Sequence, residues 1–215
     1  MRLYKYKSLA GDGLLHALDM IVNRRIFLPT SDMMNDPAEG GFENEPYPED
    51  QADHYRSEYE RLRIRIENMR FTSFSANGDN PLLWAHYAGG FSGVAFEYEI
   101  PENHPDYVLL PVRYKGSPSI TFDICQGILN ENKAVYDYGI LLSKRQFWSY
   151  ENEHRLFMRS TASYFPGITP TGIIMGGKNY RHDSIFTQIA RKFGIKTGHL
   201  MEVGDEYKIY YPKGK

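Results

Sequence analysis

Apolar residues recur along this chain with two different periods, and the change from one to the other marks out its elements. Leu3 to Tyr6 reads as a first strand. Leu9, Leu14, Leu15, Leu18, Ile21 and Val22 then recur at helical spacing, and Arg25 to Leu28 reads as a short second strand. The following TSDMMNDPAEGG is rich in residues that favour turns and predicts an irregular loop. Residues 43 to 53 are acidic and carry prolines. They lead into a charged helix from about Gln51 to Asn68, with Tyr55, Tyr59, Leu62 and Ile66 along one side, so 43–69 reads as a helical insertion. Arg70 to Ser75 returns to strand character. In ANGDNPLLWAHYAGG, Asn80 as cap, Pro81 in the first turn and a glycine pair at the exit predict a short helix.

Beyond it, Val94, Phe96, Tyr98 and Ile100 alternate with Ala95, Glu97 and Glu99, the period-two pattern of a half-buried strand. Tyr107 to Tyr114 supplies another strand. Residues 121–147 are helix-like, with Ile124, Ile128, Leu129, Ala134, Val135 and Ile140 expected inside. Strands are expected at Arg155 to Arg159 and Gly172 to Met175, then a helix from Ser184 to Phe193 stopped by Gly194, then strands near His199 to Val203 and Tyr207 to Tyr211. Strands and helices without regular alternation argue for an α+β fold, with a mixed, largely antiparallel sheet and flanking helices in one domain, 1–215. No internal repeat interrupts this reading.

Composition narrows the partners. A formal charge of −2 and a pI near 6.4 remove the electrostatic case for duplex DNA, leaving only a local basic patch from Arg56 to Arg70. No apolar run reaches the length of a membrane span and the start lacks a signal-peptide core, so the chain reads as soluble and cytoplasmic. A lone cysteine, Cys125, reads as a small buried hydrophobe. Seventeen Tyr, twelve Phe and two Trp favour strands and offer surfaces for stacking flat ligands. No oligomeric state is implied.

Four clusters place polar chemistry where a core does not require it. Tyr4, Lys5, Tyr6 and Lys7 put cations on one strand face and rings on the other, as a ligand contact or as an edge strand whose lysines discourage pairing. Asn35, Asp36, Pro37 and Glu39 suit an Asx turn, or a loop that leans Asp36 or Glu39 into a cleft as ligand contact, base or metal ligand. Ser73 and Ser75 share a strand face, next to a helix in which Trp84 and Tyr87 are neighbours and His86 faces elsewhere. Lys144 to Arg155, KRQFWSYENEHR, brings Lys144, Trp148, Glu151, Glu153 and Arg155 together. On a strand the two glutamates, at i and i+2, would share one face and raise each other's proton affinity. The alternative is a screened surface ladder of charges. No His, Cys or carboxylate spacing matches a zinc site, so no metal is assigned.

In order, these motifs resemble the bacterial domain of unknown function 2971 family. Its members open with an LYKYR-like strand, then carry an FNDPFE-like loop, an SFS strand, a W-x-HYA helix and a K-x-x-x-W-x-x-E-x-E-x-R segment. Here these are Leu3 to Lys7, Asn35 to Glu39, Ser73 to Ser75, Trp84 to Ala88 and Lys144 to Arg155. Lys7 stands where the family has Arg, and Ala38 where it has an aromatic residue. A second likeness is to ADP-ribosyltransferases of the Arg, Ser-Thr-Ser, Glu-x-Glu type, which hold NAD on a split sheet. That likeness implies NAD as substrate, Lys5 or Lys7 on its phosphates, Ser73 and Ser75 as supports, and Trp148 or Tyr87 against nicotinamide. Glu153 would stabilise the oxocarbenium-like state and Glu151 would orient the acceptor. Two other classes stay open: a non-catalytic module of a defence or stress system that binds a nucleotide or a macromolecular partner, and a metal-dependent hydrolase or nuclease using Asp36, Glu39, His86 and the glutamate pair.

Overall fold

The structure, a computed structural model, describes residues 1–131, 134–160, 162–178 and 181–212. Its elements, in chain order, are β1 (Arg2–Lys7), α1 (Gly13–Val22), β2 (Arg25–Phe27), a 3-10 turn (Ser31–Met33), β3 (Glu43–Asn44), a second 3-10 turn (Glu49–Gln51), α2 (Ala52–Glu67), β4 (Phe71–Ser75), α3 (Pro81–Tyr87), β5 (Val94–Glu99), β6 (Tyr107–Pro111) and β7 (Ser119–Ile120). There follow α4 (Phe122–Glu131), α5 (Ala134–Leu141), a third 3-10 turn (Gln146–Glu151), β8 (Glu153–Met158), β9 (Tyr164–Pro166), β10 (Gly172–Met175), α6 (Asp183–Phe193), β11 (Lys196–Val203) and β12 (Glu206–Tyr210).

Eight strands form one sheet in the order β12-β11-β10-β5-β1-β4-β8-β6. Its pairs are antiparallel except β10 with β11, which gives the mixed, largely antiparallel α+β architecture that the element pattern predicts. One face carries α1 and α6. There Leu3, Phe96, Tyr98, Leu156 and Ile173 pack with Ala17, Met20, Ile21, Phe186 and Ala190. The other face is covered in two separate blocks. Trp84 and Ala88 at the end of α3 close over Tyr4, Ala95, Ile174 and Leu200, while Tyr59, Leu62 and Ile66 of α2 pack with Cys125, Ile128 and Leu141 over Phe71 and Phe157. The charged segment at 43–69 therefore covers half of this face, its exposed side carrying the charges. Between the two blocks runs a seam.

Under the seam the sheet is barely continuous. β1 and β5 pair over six residues, and β4 and β8 over five, but β1 and β4 meet in register only at Tyr4 and Ser75. Lys5 fills the widening gap, its ammonium donating to Thr72 Oγ1 at 2.7 Å and to the Ser73 carbonyl at 3.0 Å.

Several expectations change for physical reasons. β1 lies inside the sheet, so its lysines do not guard an edge. β5 is buried on both faces, because Ala95 faces α3 and the Glu97 carboxylate accepts hydroxyls from Tyr4, Thr171 and Tyr211. The 121–147 stretch is two helices and a 3-10 turn; Ile124 points outward, 43% exposed, while Cys125 is sealed and burial pushes its thiol up to about 11. The side chains of Ala134 and Val135 lie outside the described residues. Leu15 and Val22 are exposed, and Leu9 precedes α1 yet is buried. The α3 signals hold: Asn80 Oδ1 accepts the Leu82 amide at 2.9 Å, Pro81 opens the helix, and Gly89 and Gly90 follow with φ of 56° and 61°.

Trp84 is fully buried, edge-on to Tyr6, with its indole donating to the Gly78 carbonyl at 2.9 Å. Trp84→Ala should cost about 3–5 kcal/mol in urea unfolding, whereas Leu15→Ala, at an exposed position, should stay within about 0.5 kcal/mol.

Candidate functional site

A cavity of about 210 Å³ opens at the seam, over the point where β1 and β4 diverge. Register decides which side chains reach it. Tyr4 faces Ser75, Ser75 faces Glu153 and Ser73 faces Arg155, so these residues share one face of the sheet. The cavity floor is Ser73, Ser75, Glu151, Glu153 and Lys144; Tyr4, Lys5 and Tyr6 form one side, and Asn35, Asp36 and Glu39 another. Pro29, Met33, Met34 and Leu83 supply an apolar wall, and Tyr87 completes it.

The two glutamates meet by a route that strand periodicity does not describe. Glu151 is the last residue of the third 3-10 turn, Glu153 the first of β8, and Asn152 between them is left-handed, with φ 43° and ψ 52°. That residue type tolerates the conformation better than most. The turn is pinned from two sides: Ser75 Oγ donates to the Glu151 carbonyl at 2.6 Å, and Asn80 Nδ2 to the Tyr150 carbonyl at 3.0 Å. Tyr114, which the motifs do not announce, accepts the Glu153 amide at 2.7 Å.

Both carboxylates then share one ammonium. Lys144 Nζ lies 2.5 Å from Glu151 Oε2 and 3.1 Å from Glu153 Oε2. Glu151 Oε1 accepts the Tyr87 hydroxyl. Arg155, with no exposed surface, donates to Glu153 through Nε (2.7 Å) and Nη2 (3.0 Å), to Glu39 through Nη1 (2.5 Å) and Nη2 (2.8 Å), and to the Leu141 carbonyl. The network is closed and almost dry.

These surroundings drive the glutamates apart. Burial would raise Glu153, but the charge and hydrogen bonds of Arg155, then Lys144, outweigh it and hold the carboxyl at about 2. Burial raises Glu151, and Lys144 and Tyr87 only partly oppose it, so its carboxyl sits above the ordinary range. Lys144 is lowered by burial but raised further by both glutamates, and stays charged. Two carboxyls of opposite tendency at one site are the arrangement from which acid and base roles are made. Lys5 is lowered to about 7, by burial first and by Lys7 second. Ser73 Oγ is buried with no partner at bonding distance, although it stands close enough to Glu153 to favour the ionised form.

Five predicted site residues lie elsewhere. Lys7 points to the opposite sheet face and is half-buried there. Trp84 belongs to the core, since a large ring between α3 and the sheet fills the space that the cap geometry leaves. His86 is exposed, 6.2 Å from the Tyr150 ring. Trp148 stands behind Lys144, its ring 5.0 Å from Nζ. Arg155 lies beneath the cavity and acts on it only through Glu153 and Glu39. Asp36 forms the Asx turn, its Oδ1 accepting the Ala38 amide at 3.0 Å, and lines the cavity as well. Glu39 leans in but is taken by Arg155. The apolar wall went unpredicted; the paired Met33 and Met34 ahead of the Asn-Asp-Pro turn were its only signal. Among the described residues, no group of three or more His, Cys, Asp or Glu is placed to hold a metal ion, and no helix is long and apolar enough to cross a membrane.

No family model, no curated protein and no solved structure matches the chain.

Removing one member of a buried ion network strands the others, so Arg155→Met should cost about 3–5 kcal/mol in chemical unfolding. The pH response should carry the signature of Glu153. Its folded value of about 2 is below the roughly 4.3 of an unfolded glutamate, so its contribution is present above pH ~4.3 and disappears as pH falls towards 2. Glu151 works in the other direction at higher pH, where its raised folded value makes its contribution fade as pH rises. Unfolding followed from pH 5 to 2 should therefore show a steep loss of stability that is shallower in Glu153→Gln.

Proposed function

We propose that this site cleaves or transfers an N-ribosyl bond, with NAD or a related pyridinium riboside as substrate. The observation that carries the reading is the carboxylate pair on one lysine, one glutamate held ionised and the other raised, facing a hydroxyl-bearing strand where the sheet parts. The order of serine strand and late glutamates supports it, as does the resemblance to split-sheet ADP-ribosyltransferases.

The chemistry needs negative charge where positive charge develops. As the bond between ribose C1′ and the ring nitrogen breaks, its electron pair passes to the nitrogen and the pyridinium becomes a neutral leaving group. The ribose is left oxocarbenium-like. Glu153, fixed and ionised, stabilises that charge without reorganising. Water or an acceptor nucleophile then bonds to C1′ and gives its proton to Glu151, whose raised affinity suits it to a base. Tyr87 and Lys144 orient Glu151, and the Met33 and Leu83 wall suits a flat ring.

One observation favours a binding module instead. Both oxygens of Glu151 and of Glu153 already have protein partners, as in a purely structural network. Turnover separates the two. The purified protein should release nicotinamide from NAD or nicotinamide riboside, and Glu153→Gln should slow this roughly 100- to 1,000-fold, the usual loss on removing one electrostatic stabiliser. Ligand binding without release would leave the module; neither binding nor release by folded protein would overturn the proposal.

A further inference from the structure

Among the described residues, every cation at this cavity is already hydrogen-bonded within the protein. Asp36, Glu39, Glu151 and Glu153 line it with only Lys5 and Lys144. Lys144 is held by both glutamates. Lys5 has turned onto Thr72 Oγ1 and the Ser73 carbonyl, bridging the gap between β1 and β4. Arg155, beneath, is wholly engaged with Glu39 and Glu153. Phosphate sites are built from the opposite elements: free arginine forks, lysines or amide nests. With Arg155 counted, the four carboxylates stand against three cations, Lys5, Lys144 and Arg155, and this excess of negative charge disfavours a phosphate and favours a cationic ring.

Size points the same way. The cavity, at about 210 Å³, is below the roughly 300–1,000 Å³ of sites that enclose drug-sized ligands, and a dinucleotide is larger than those. Ser73 lines the polar side beside Glu153, and its Oγ, covered and at no partner's bonding distance, can donate to or accept from a ribose hydroxyl once that cover moves aside. The wall of Pro29, Met33 and Leu83 offers a face to a flat base.

On the reading of the site as an N-ribosyl cleavage centre, we infer that its substrate class is the unphosphorylated, positively charged N-riboside, with phosphorylated forms, NAD included, selected against. The 5′ position of the ribose then carries a hydroxyl. Discrimination is by charge, through carboxylates in excess of the cations beside them.

The test compares nicotinamide riboside, its 5′-phosphate and NAD at equal ionic strength, by nicotinamide release and by calorimetry. The riboside should show a kcat/KM at least ~10-fold above either phosphorylated form. Met33→Arg, which adds a guanidinium at an exposed position on the rim, should narrow that ratio by improving the phosphorylated substrates. Equal or better turnover of the 5′-phosphate or NAD overturns the inference while leaving N-ribosyl cleavage intact. If none of the three is cleaved, N-ribosyl cleavage fails. Calorimetry then decides alone: tighter binding of the riboside than of its 5′-phosphate upholds selection by charge, and absence of riboside binding overturns it.

Discussion

Arg155 is the group on which the arrangement of this site depends. A guanidinium with no exposed surface can remain in a protein interior only if nearly every donor is matched, because charge taken out of water costs several kcal/mol. Here the matching is shared among remote parts of the chain. Glu39 comes from the loop after the first 3-10 turn, Glu153 from β8, and the Leu141 carbonyl from the end of α5. The planar fork sets their angles as well as their distances, which a lysine could not do. The demands of one buried cation thus hold the loop, the strand and the helix end in register.

The second constraint is the division in the sheet. β1 and β4 belong to one sheet by strand order, but a single register pair joins them, and the lysine that spans the gap substitutes a side-chain donor for a missing backbone one. An open ladder exposes backbone groups that must find partners. Lys5 satisfies one of them at the cost of a buried ammonium whose proton is loosely held, at about 7. The cover on this face is divided at the same place, between the Trp84 block and the α2, α4 and α5 block. Cavity and division therefore have one origin.

These features give the network two roles. Arg155 and Glu39 are structural in the direct sense: they are covered and paired. Glu151, Lys144 and Tyr87 stand one step nearer the cavity, and in Glu151 the same burial that stabilises the arrangement displaces the proton affinity of a group that a ligand can reach. Perturbed carboxyls in clefts are a recurring mark of functional sites, and structural ion networks produce them too. The exposed Met33 on the cavity wall and the unpartnered Ser73 hydroxyl are what distinguish this case, since neither helps a core.

Much of this was legible along the chain. Period-two alternation located the central strands, Asn80, Pro81 and the glycines bounded α3, and the absence of regular alternation between strands and helices identified the α+β class. Ser73 and Ser75 could be placed on one face because a strand repeats every two residues. What alternation cannot say is which face is covered, or by what. Hence β5 looked half-buried until α3 and the hydroxyls around Glu97 closed its second face, and Lys7, on the same strand face as Lys5, does not reach the cavity that Lys5 lines. Trp84 sits in a motif with Tyr87, yet only Tyr87 reaches the cavity, because the sheet claims one side of a short helix. Glu151 and Glu153 do converge, through a left-handed Asn152 instead of a shared strand face. The sequence by itself determined the central strands, the main helices and the chemistry they carry, but not the short strands β3, β7 and β9. Tertiary structure alone decided which charges meet, because the partner of Arg155 that closes its network lies 116 residues away, and no local period reaches that far.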